Sequence, residues 1–509
     1  MSLSLIEACN ATTFQPVLFG AHILTLEADV VTNYSASVPE AFRYIAPAVE
    51  LRNASFCNVT LSYTHPGQDD EVFVEAWLPL ESWNGRFQAV GGGGWVAGRF
   101  LLSYRAMQGA LADGFATITT DGGLGSASDA GPWALSSPGN VNWNNLQNLA
   151  STTLNDEAIL GKSLIKSFYG KGPEFSYWTG CSQGGRQGLM MAQRFPDAYD
   201  GIAAGAPAIH WTESVPSIHW PQQVMNELRH YPYGCELDAI TAAAVSVCDG
   251  LDGVRDGVIS NPDDCLKTFS PFSVVGTKIQ CAQLNNTEVA ISKSAAEIAS
   301  AAWRGITTAD GTSVWHGIAP GADLTGNSPS SYGQPGIAAT TNCTASGCVG
   351  APNTIGLQWL QLFVEKNPEK DLSNLTRDEF LELVHASRQQ YSSIIGTTDP
   401  DLTRFRDAGG KLISFHGLAD NVLPFKATRQ YYEQVSALSP KVDEFYRYFE
   451  VPGLGHCFGG MSGQPNGLFR QLQAWVENGT APEQTPVERA SSKIAEIQLW
   501  QSVGAALDL

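Results

Sequence analysis

Short runs of apolar residues in the first part of the chain predict strands that alternate with helices. Residues 72–78 read V-F-V-E-A-W-L, and this alternation of apolar and polar positions is typical of a strand. We predict strands at residues 72–78, 86–90, 116–120, 176–178 and 202–204, and helices at residues 143–168 and 183–194. Such alternation of strand and helix indicates a mainly parallel sheet with helices on both faces.

This alternation stops near residue 209 and returns near residue 399. Tryptophan, cysteine, glycine and proline are scattered through the intervening segment without a clean strand–helix pattern. Residues 411–415 and 446–451 then predict two more strands, and residues 468–477 a final helix. We therefore predict an α/β domain made of residues 1–208 and 399–509, interrupted by an inserted domain at residues 209–398.

The composition restricts the classes of partner. The 509 residues are 43% hydrophobic, which is enough for a large core, and the formal net charge is −20. A strongly acidic chain is repelled by nucleic acids and by anionic membrane surfaces, so we expect neither as a partner. The sequence contains no apolar run of about eighteen residues, so we also expect no membrane span.

Cysteines and glycosylation sequons favour a secreted protein. The chain has ten cysteines. The first ten residues, MSLSLIEACN, lack the basic and apolar regions of a signal peptide, so we expect either a signal that has been removed or no secretion. Together with the ten cysteines, eight Asn-x-Ser/Thr sequons favour a secreted glycoprotein. The sequons begin at Asn10, Asn33, Asn53, Asn58, Asn285, Asn342, Asn374 and Asn478.

Residues 180–184 read G-C-S-Q-G, which is a G-x-S-x-G motif. The motif lies between a predicted strand and a predicted helix, and this is the context that a nucleophilic serine requires. Ser182 would project from a turn too sharp for large neighbours, which explains the flanking glycines. We predict that Ser182 is the nucleophile of a hydrolase.

A serine nucleophile needs a base and an acid that orients the base. Asp420 follows the strand at residues 411–415, and His456 follows the strand at residues 446–451. The order Ser, Asp, His matches hydrolases that carry the G-x-S-x-G turn. We predict the triad Ser182, Asp420 and His456, and we expect His416, which precedes the acid, to pack in the wall of the site.

Two backbone N–H groups should stabilise the negative oxygen that forms during ester cleavage. The first is predicted to be the N–H of Gln183, directly after the nucleophile. The second should come from the glycine run at residues 91–94. We favour Gly93 there, with Gly92 nearly equal.

The predicted triad places two cysteines near each other. Cys181 precedes Ser182, and Cys457 follows His456. A disulfide between them would fix the nucleophile turn against the histidine loop. We therefore predict a Cys181–Cys457 bond.

An aspartate- and glycine-rich loop in the inserted segment indicates a structural calcium site. Calcium prefers oxygen ligands on a backbone that can curl. The predicted ligands are the carboxylates and backbone carbonyls of Asp249, Asp252, Val254, Asp256 and Val258. Cys248 and Cys265 flank this loop and would close it as a disulfide.

Several motifs together resemble the tannase and feruloyl esterase family. They are G-C-S-Q-G-G-R-Q-G at residues 180–188, A-Q-R-F-P-D-A-Y-D-G-I-A-A-G-A-P-A at 192–208, W-N-G-R-F at 83–87, the glycine run into Trp95, H-G-x-x-D at 416–420 and G-H-C at 455–457. The resemblance implies an α/β-hydrolase core with a large inserted lid, the Cys181–Cys457 bond and a calcium ion in the lid. Within this framework Cys9–Cys57 and Cys343–Cys348 are further expected pairs, which leaves Cys235 with Cys281.

The resemblance also implies a secreted serine esterase that acts on small aromatic esters or on feruloylated polysaccharide, as in xylan degradation. It implies no organic cofactor. Feruloyl ester hydrolysis is our first reading, and galloyl ester hydrolysis by a tannase is the alternative. A more distant alternative is an inactive hydrolase fold used only for binding, although such proteins typically lose a triad residue. The sequence leaves the oligomeric state open.

Overall fold

The structure is a computed structural model and describes residues 4–326, 339–344, 347–488 and 494–498. Its strands are β1 (His22–Val38), β2 (Val49–Thr64), β3 (Val72–Pro79), β4 (Arg86–Val90), β5 (Ala116–Thr120), β6 (Leu135–Ser137), β7 (Asn140–Val141), β8 (Phe175–Cys181), β9 (Gly201–Gly205), β10 (Lys278–Cys281), β11 (Thr287–Ala290), β12 (Thr341–Thr344), β13 (Gly347–Gly350), β14 (Lys411–Gly417), β15 (Tyr446–Val451), β16 (Gln484–Glu488) and β17 (Ile494–Gln498).

The α-helices are α1 (Leu5–Ala8), α2 (Leu101–Ala112), α3 (Gly131–Ala134), α4 (Trp143–Ala150), α5 (Thr152–Tyr169), α6 (Gln183–Arg194), α7 (Trp211–Leu228), α8 (Gly234–Cys248), α9 (Pro262–Thr268), α10 (Lys293–Arg304), α11 (Thr354–Gln358), α12 (Arg377–Tyr391), α13 (Thr403–Asp407), α14 (Phe425–Leu438) and α15 (Leu468–Asn478). A π-helix covers Trp359–Val364, directly after α11.

One large sheet organises the chain, with strand order β1-β2-β3-β5-β4-β8-β9-β14-β15. The pairs β1–β2, β2–β3 and β3–β5 are antiparallel. All pairs from β5 to β15 are parallel, because helices carry the chain back between successive strands. This topology confirms the expected α/β-hydrolase core.

Helices cover both faces of this sheet. On one face, α5, α6 and α14 bury residues such as Leu164, Leu189 and Tyr431 in a common hydrophobic cluster. On the other face, α15 buries Leu472 and Trp475 against the sheet. The parallel strands are therefore buried on both sides, which explains their nearly continuous apolar sequences.

Two features of the sheet region differ from the sequence prediction. The helix predicted at residues 143–168 is broken at Ser151, whose φ of −161° and ψ of −39° are not helical. The chain also forms the long strands β1 and β2, which the sequence did not predict. Strand β1 alternates partly buried with exposed residues, so it offers little of the apolar signal on which prediction depends.

The segment between β9 and β14 contributes no strand to the large sheet in the ranges that the structure describes. It forms helices α7–α13, the π-helix and the two small hairpins β10–β11 and β12–β13. Residues 327–338 and 345–346 of the predicted inserted domain lie outside the described residues. The division into two domains stays a prediction.

All ten cysteines form disulfides. The pairs are Cys9–Cys57, Cys181–Cys457, Cys235–Cys281, Cys248–Cys265 and Cys343–Cys348. The expected pairings are therefore present, including the one assigned only by elimination. Within the described part of the chain, every helix is too short or too polar to cross a bilayer.

Candidate active site

Ser182 lies on a sharp turn between β8 and α6. Its φ of 61° and ψ of −121° place it in a backbone region that non-glycine residues rarely adopt. The turn requires glycine on both sides. A Cβ on Gly180 would lie 2.5 Å from the backbone of Gly184, and a Cβ on Gly184 would lie 2.9 Å from the carbonyl oxygen of Gly92. The G-x-S-x-G spacing is therefore a steric requirement of this turn.

Asp420 and His456 are in direct contact. His456 Nδ1 lies 2.8 Å from Asp420 Oδ2. Asp420 follows β14, and His456 follows β15, so both lie at the same edge of the sheet as Ser182. The structure thus brings together the two loops that carry the predicted base and the predicted acid.

The environment of Asp420 keeps its carboxylate ionised. Its side chain is buried, which by itself would raise its pKa. The charge of His456 and hydrogen bonds from His416 and His456 outweigh this effect and hold the pKa well below its usual range. The backbone N–H groups of Val422 and Leu423 also donate to Oδ1, each at 2.8 Å. Asp420 therefore carries a full negative charge toward His456.

A disulfide joins the nucleophile turn to the histidine loop. Cys181 and Cys457 are bonded, with their Cα atoms 5.9 Å apart, and both side chains are buried. Cys457 itself adopts a φ of 66°, so the histidine loop turns sharply where the bond forms. The bond holds Ser182 and His456 on neighbouring segments although 276 positions separate the two cysteines.

Hydrogen bonding in the glycine run contradicts the choice of Gly93 as an oxyanion donor. The N–H of Gly93 donates to the carbonyl of Val96 at 3.1 Å. Gly92, the second choice, donates to Oε1 of Gln187 at 2.9 Å. An N–H that already has an acceptor cannot also point at a substrate oxygen. Gln183 begins α6, where the first N–H groups of a helix have no intrahelical acceptor.

Arg186 is a buried residue of this region that the sequence did not single out. It lies one turn after Ser182 and donates to Oε1 of Gln183 at 2.6 Å. It also donates to the carbonyls of Leu149 and Ala150, at the end of α4. Burial lowers its pKa to about 9, the nearby Arg194 adding to the effect. The guanidinium fixes the start of α6 against the end of α4.

His416 contacts the site more directly than the sequence indicated. Its Nε2 lies 3.0 Å from Asp420 Oδ2, the same oxygen that contacts His456. The expectation that it packs in the wall of the site is therefore incomplete. The spacing of four residues in H-G-x-x-D, across the end of β14, is the signal that could have revealed this contact.

The aspartate-rich loop is held by hydrogen bonds from its own backbone. Oδ1 of Asp249 accepts from the N–H groups of Asp256, Gly257 and Val258, at 2.9, 2.7 and 3.2 Å. The amide of Asp256 makes the largest contribution to lowering the pKa of Asp249. In the described ranges, no three His, Cys, Asp or Glu side chains converge as metal ligands do.

This loop lies against the histidine loop in space, although the two are far apart in sequence. A Cβ on Gly453 would be only 2.7 Å from a methyl group of Val258, the last residue of the aspartate-rich loop. Gly453 precedes His456 by three residues. The fold of the acidic loop therefore affects the segment that positions His456.

Comparison with known proteins identifies the family of the chain. A family model described as tannase and feruloyl esterase matches residues 57–503. The chain belongs to this family. It is accordingly a carboxylic ester hydrolase, as the members of the tannase and feruloyl esterase family are.

Individual relatives cover most of the chain. A probable feruloyl esterase of Arthroderma benhamiae is 38% identical over 450 residues, which is 87% of this chain and 80% of that protein. A tannase of Aspergillus oryzae is 30% identical over 471 residues, which is 84% of this chain and 78% of that tannase. The solved tannin acyl hydrolase of Aspergillus niger superimposes with a TM-score of 0.87 at 29% identity, over 98% of this chain and 93% of that one.

Proposed function

We propose that this chain is a serine esterase that hydrolyses hydroxycinnamoyl esters, with feruloyl-type esters as the preferred class. The observation that carries the mechanism is the Asp420–His456 contact, which a disulfide ties to the strained turn of Ser182. The preference for ferulate is supported by the 38% identity to a probable feruloyl esterase, against 30% to a tannase. The lid and the site would act on the small aromatic ester itself or on feruloyl groups of plant polysaccharide such as xylan.

The proposed reaction is acyl transfer in two steps. His456 takes the proton of the Ser182 hydroxyl while Asp420 stabilises the imidazolium that forms. Ser182 attacks the ester carbonyl, and His456 then protonates the leaving alcohol. Water repeats the same sequence on the acyl-enzyme and releases the aromatic acid. The reaction requires no organic cofactor.

The negative oxygen of the tetrahedral intermediate needs two N–H donors. We assign one to Gln183, at the positive end of α6. In the glycine run the second donor would be Gly94, because its N–H, among the described residues, is the one of that run with no protein acceptor. A Cβ on Gly94 would lie 3.6 Å from Ile355 of α11, so this glycine also lies where the run meets the inserted segment.

Initial rates on methyl ferulate and methyl gallate, with Ser182→Ala as the blank, test this proposal. A clear preference for ferulate that is lost in the variant is the expected result. A preference for gallate would keep the mechanism and make the chain a tannase, which the tannin acyl hydrolase structure favours as the second candidate. A fluorophosphonate probe that fails to label Ser182 would instead indicate an inactive binding protein.

We also propose that the aspartate-rich loop binds a structural calcium ion. The chemistry of the donors suits a hard cation because all of them are oxygens: the carboxylates of Asp249, Asp252 and Asp256 and the backbone carbonyls of Val254 and Val258. The three carboxylates do not converge in the structure, so calcium would have to draw them together. The disulfide Cys248–Cys265 closes the loop. The ion would stabilise the segment that packs against Gly453.

Secretion and glycosylation complete the proposal. Five disulfides and the absence of free cysteines are typical of proteins that fold in an oxidising compartment. Six of the eight sequon asparagines are exposed; they are Asn33, Asn53, Asn285, Asn342, Asn374 and Asn478. Asn58 lies within β2, between Asp29 of β1 and Trp77 of β3, so we expect no glycan there.

A further inference from the structure

His416 is buried at the end of β14 and touches two polar side chains. Its Nε2 lies 3.0 Å from Asp420 Oδ2, and its Nδ1 lies 2.8 Å from Oγ1 of Thr428 on α14. At 3.0 Å, Nε2 is close enough to the ionised carboxylate of Asp420 for a donor on this nitrogen to interact with it strongly. The side chains of His416 and His456 thus approach a single carboxylate oxygen from two different elements.

The charge of Asp420 determines which nitrogen of His416 carries the proton. A lone pair on Nε2 at 3.0 Å from an ionised, buried carboxylate would be repelled, so Nε2 must bear the hydrogen. Nδ1 is then an acceptor, and the hydroxyl of Thr428 donates to it. The hydroxyl of Thr428 holds the ring in the tautomer that faces Asp420 with a donor.

This arrangement gives His416 a rigid support. It lies on a central strand paired with both β9 and β15, whereas His456 lies on a loop. The charged neighbours of His416 across β15 are also fixed. Glu450, its partner in register, accepts two hydrogen bonds of 2.7 Å from Arg429 of α14. Because the charges of Glu450 and Arg429 offset each other, this pair does not compete with Asp420 for the N–H of His416.

We propose that His416, held by Thr428, is a positioning residue of the catalytic apparatus. It fixes the carboxylate of Asp420 in the plane that His456 needs, and it competes with His456 for Oδ2. The competition limits how strongly Asp420 stabilises the imidazolium of His456. The inference rests on the proposed function, in which Asp420 and His456 act as the catalytic acid and base.

Two pairs of variants separate this role from simple packing. His416→Leu removes the donor, while His416→Gln places an amide N–H near the position of Nε2. Thr428→Val removes the hydroxyl at nearly constant volume, while Thr428→Ser keeps it. We expect kcat on methyl ferulate to fall on the order of 10- to 100-fold in His416→Leu and less in Thr428→Val, with little change in KM. The Gln and Ser variants should recover most of that loss.

The titration of His456, followed by NMR of protein labelled at the histidine Cε1 carbon, is the decisive measurement. Without the competing donor, Asp420 stabilises the imidazolium more strongly, so the titration and the acid limb of kcat/KM should move to higher pH in His416→Leu. His416→Gln should move neither. An unchanged titration and an unchanged kcat in His416→Leu, in a wild type that hydrolyses methyl ferulate, would overturn the inference and leave the proposed function intact. If the wild type hydrolyses no aromatic ester, the proposed function is overturned; a His456 titration that still moves in His416→Leu would then uphold only the effect of His416 on the contact between Asp420 and His456.

Discussion

Cys181 and Cys457 are bonded to each other, and each is the sequence neighbour of a predicted catalytic residue. The bond therefore places the nucleophile turn and the histidine loop in a fixed relation, independent of the long segment between them. Proton transfer from Ser182 to His456 requires hydrogen-bond contact, and such contact is sensitive to small displacements. The disulfide is thus a structural part of the site.

Removal of this bond should affect catalysis more than removal of another bond. We expect Cys181→Ser/Cys457→Ser to lower kcat at least tenfold, on the order expected for a misplaced base. The matched control is Cys9→Ser/Cys57→Ser, which opens a bond of the N-terminal segment and should cost about 2–5 kcal/mol of stability without a comparable loss of kcat. Equal kcat values for the two double variants, measured below their unfolding temperatures, would contradict this role.

Asp420→Asn should lower kcat by a factor on the order of 10³–10⁴ with the fold retained. An amide in place of the carboxylate no longer holds the hydrogen of His456 on Nδ1, and it cannot stabilise the imidazolium. Exposed Asp407→Asn on α13 is the control and should leave kcat unchanged. Steady-state rates on methyl ferulate with circular dichroism of both variants check the prediction, and an active Asp420→Asn enzyme would show that another residue is the acid.

Chelation should lower the melting temperature of the protein. We expect about one calcium ion per chain by elemental analysis and a decrease in Tm with EDTA, on the order of several degrees. Asp249→Asn should abolish this dependence, because Asp249 organises the backbone of the loop. Asp310→Asn, in an exposed turn where the carboxylate also accepts a backbone N–H, should keep it. A Tm that is insensitive to EDTA in metal-free buffer would rule the site out.

A second buried histidine makes stability depend on pH. His65 lies between two carboxylates, with Nδ1 2.6 Å from Asp70 and Nε2 3.0 Å from Asp156. Burial lowers the pKa of His65, but the hydrogen bonds that its ring donates to Asp70 and Asp156, together with the charges of these carboxylates, outweigh burial and raise it. A raised pKa stabilises the fold below the ordinary histidine pKa, and this stabilisation is lost as the pH rises through the raised value.

We therefore expect Tm to fall as the pH rises above the ordinary histidine pKa of about 6.5, and we expect His65→Gln to flatten this fall by a few degrees. Burial also raises the pKa of Asp156, so its contribution to stability falls with rising pH as well, starting from the lower pKa of an ordinary aspartate. His385→Gln, at an exposed position of α12, is the control and should keep the wild-type slope. Parallel Tm–pH curves for wild type and His65→Gln would assign the slope to other groups.

Most of the site could be predicted from the sequence because local turns and strand ends determine where its residues lie. The turn at Ser182 needs glycines at fixed positions, and the ends of β14 and β15 deliver Asp420 and His456 to one edge of a parallel sheet. The donor to the negative oxygen could not be chosen within the glycine run in this way. The N–H of Gly93 is used by a turn that Val96 closes, and a run of glycines does not reveal which N–H such a turn uses.

Contacts between distant elements account for what else was missed. His416 meets Thr428 only because α14 packs on β14, and Val258 meets Gly453 only because the inserted segment folds back on the sheet. The long strand β1 pairs with β2 and meets the core mostly through partly buried residues, so its sequence carries little hydrophobic pattern. Packing of this kind is a property of the whole fold and has no local signature.

The Cys181–Cys457 bond also determines how the molecule would behave after a cut in the chain. The bonded cysteines enclose the whole segment between β9 and β14, with helices α7–α13. A protease that nicks an exposed loop there leaves Ser182 on one fragment and His456 on the other, but both fragments stay within one covalent molecule. Such a nicked enzyme would keep its full mass until a reductant separates the two chains.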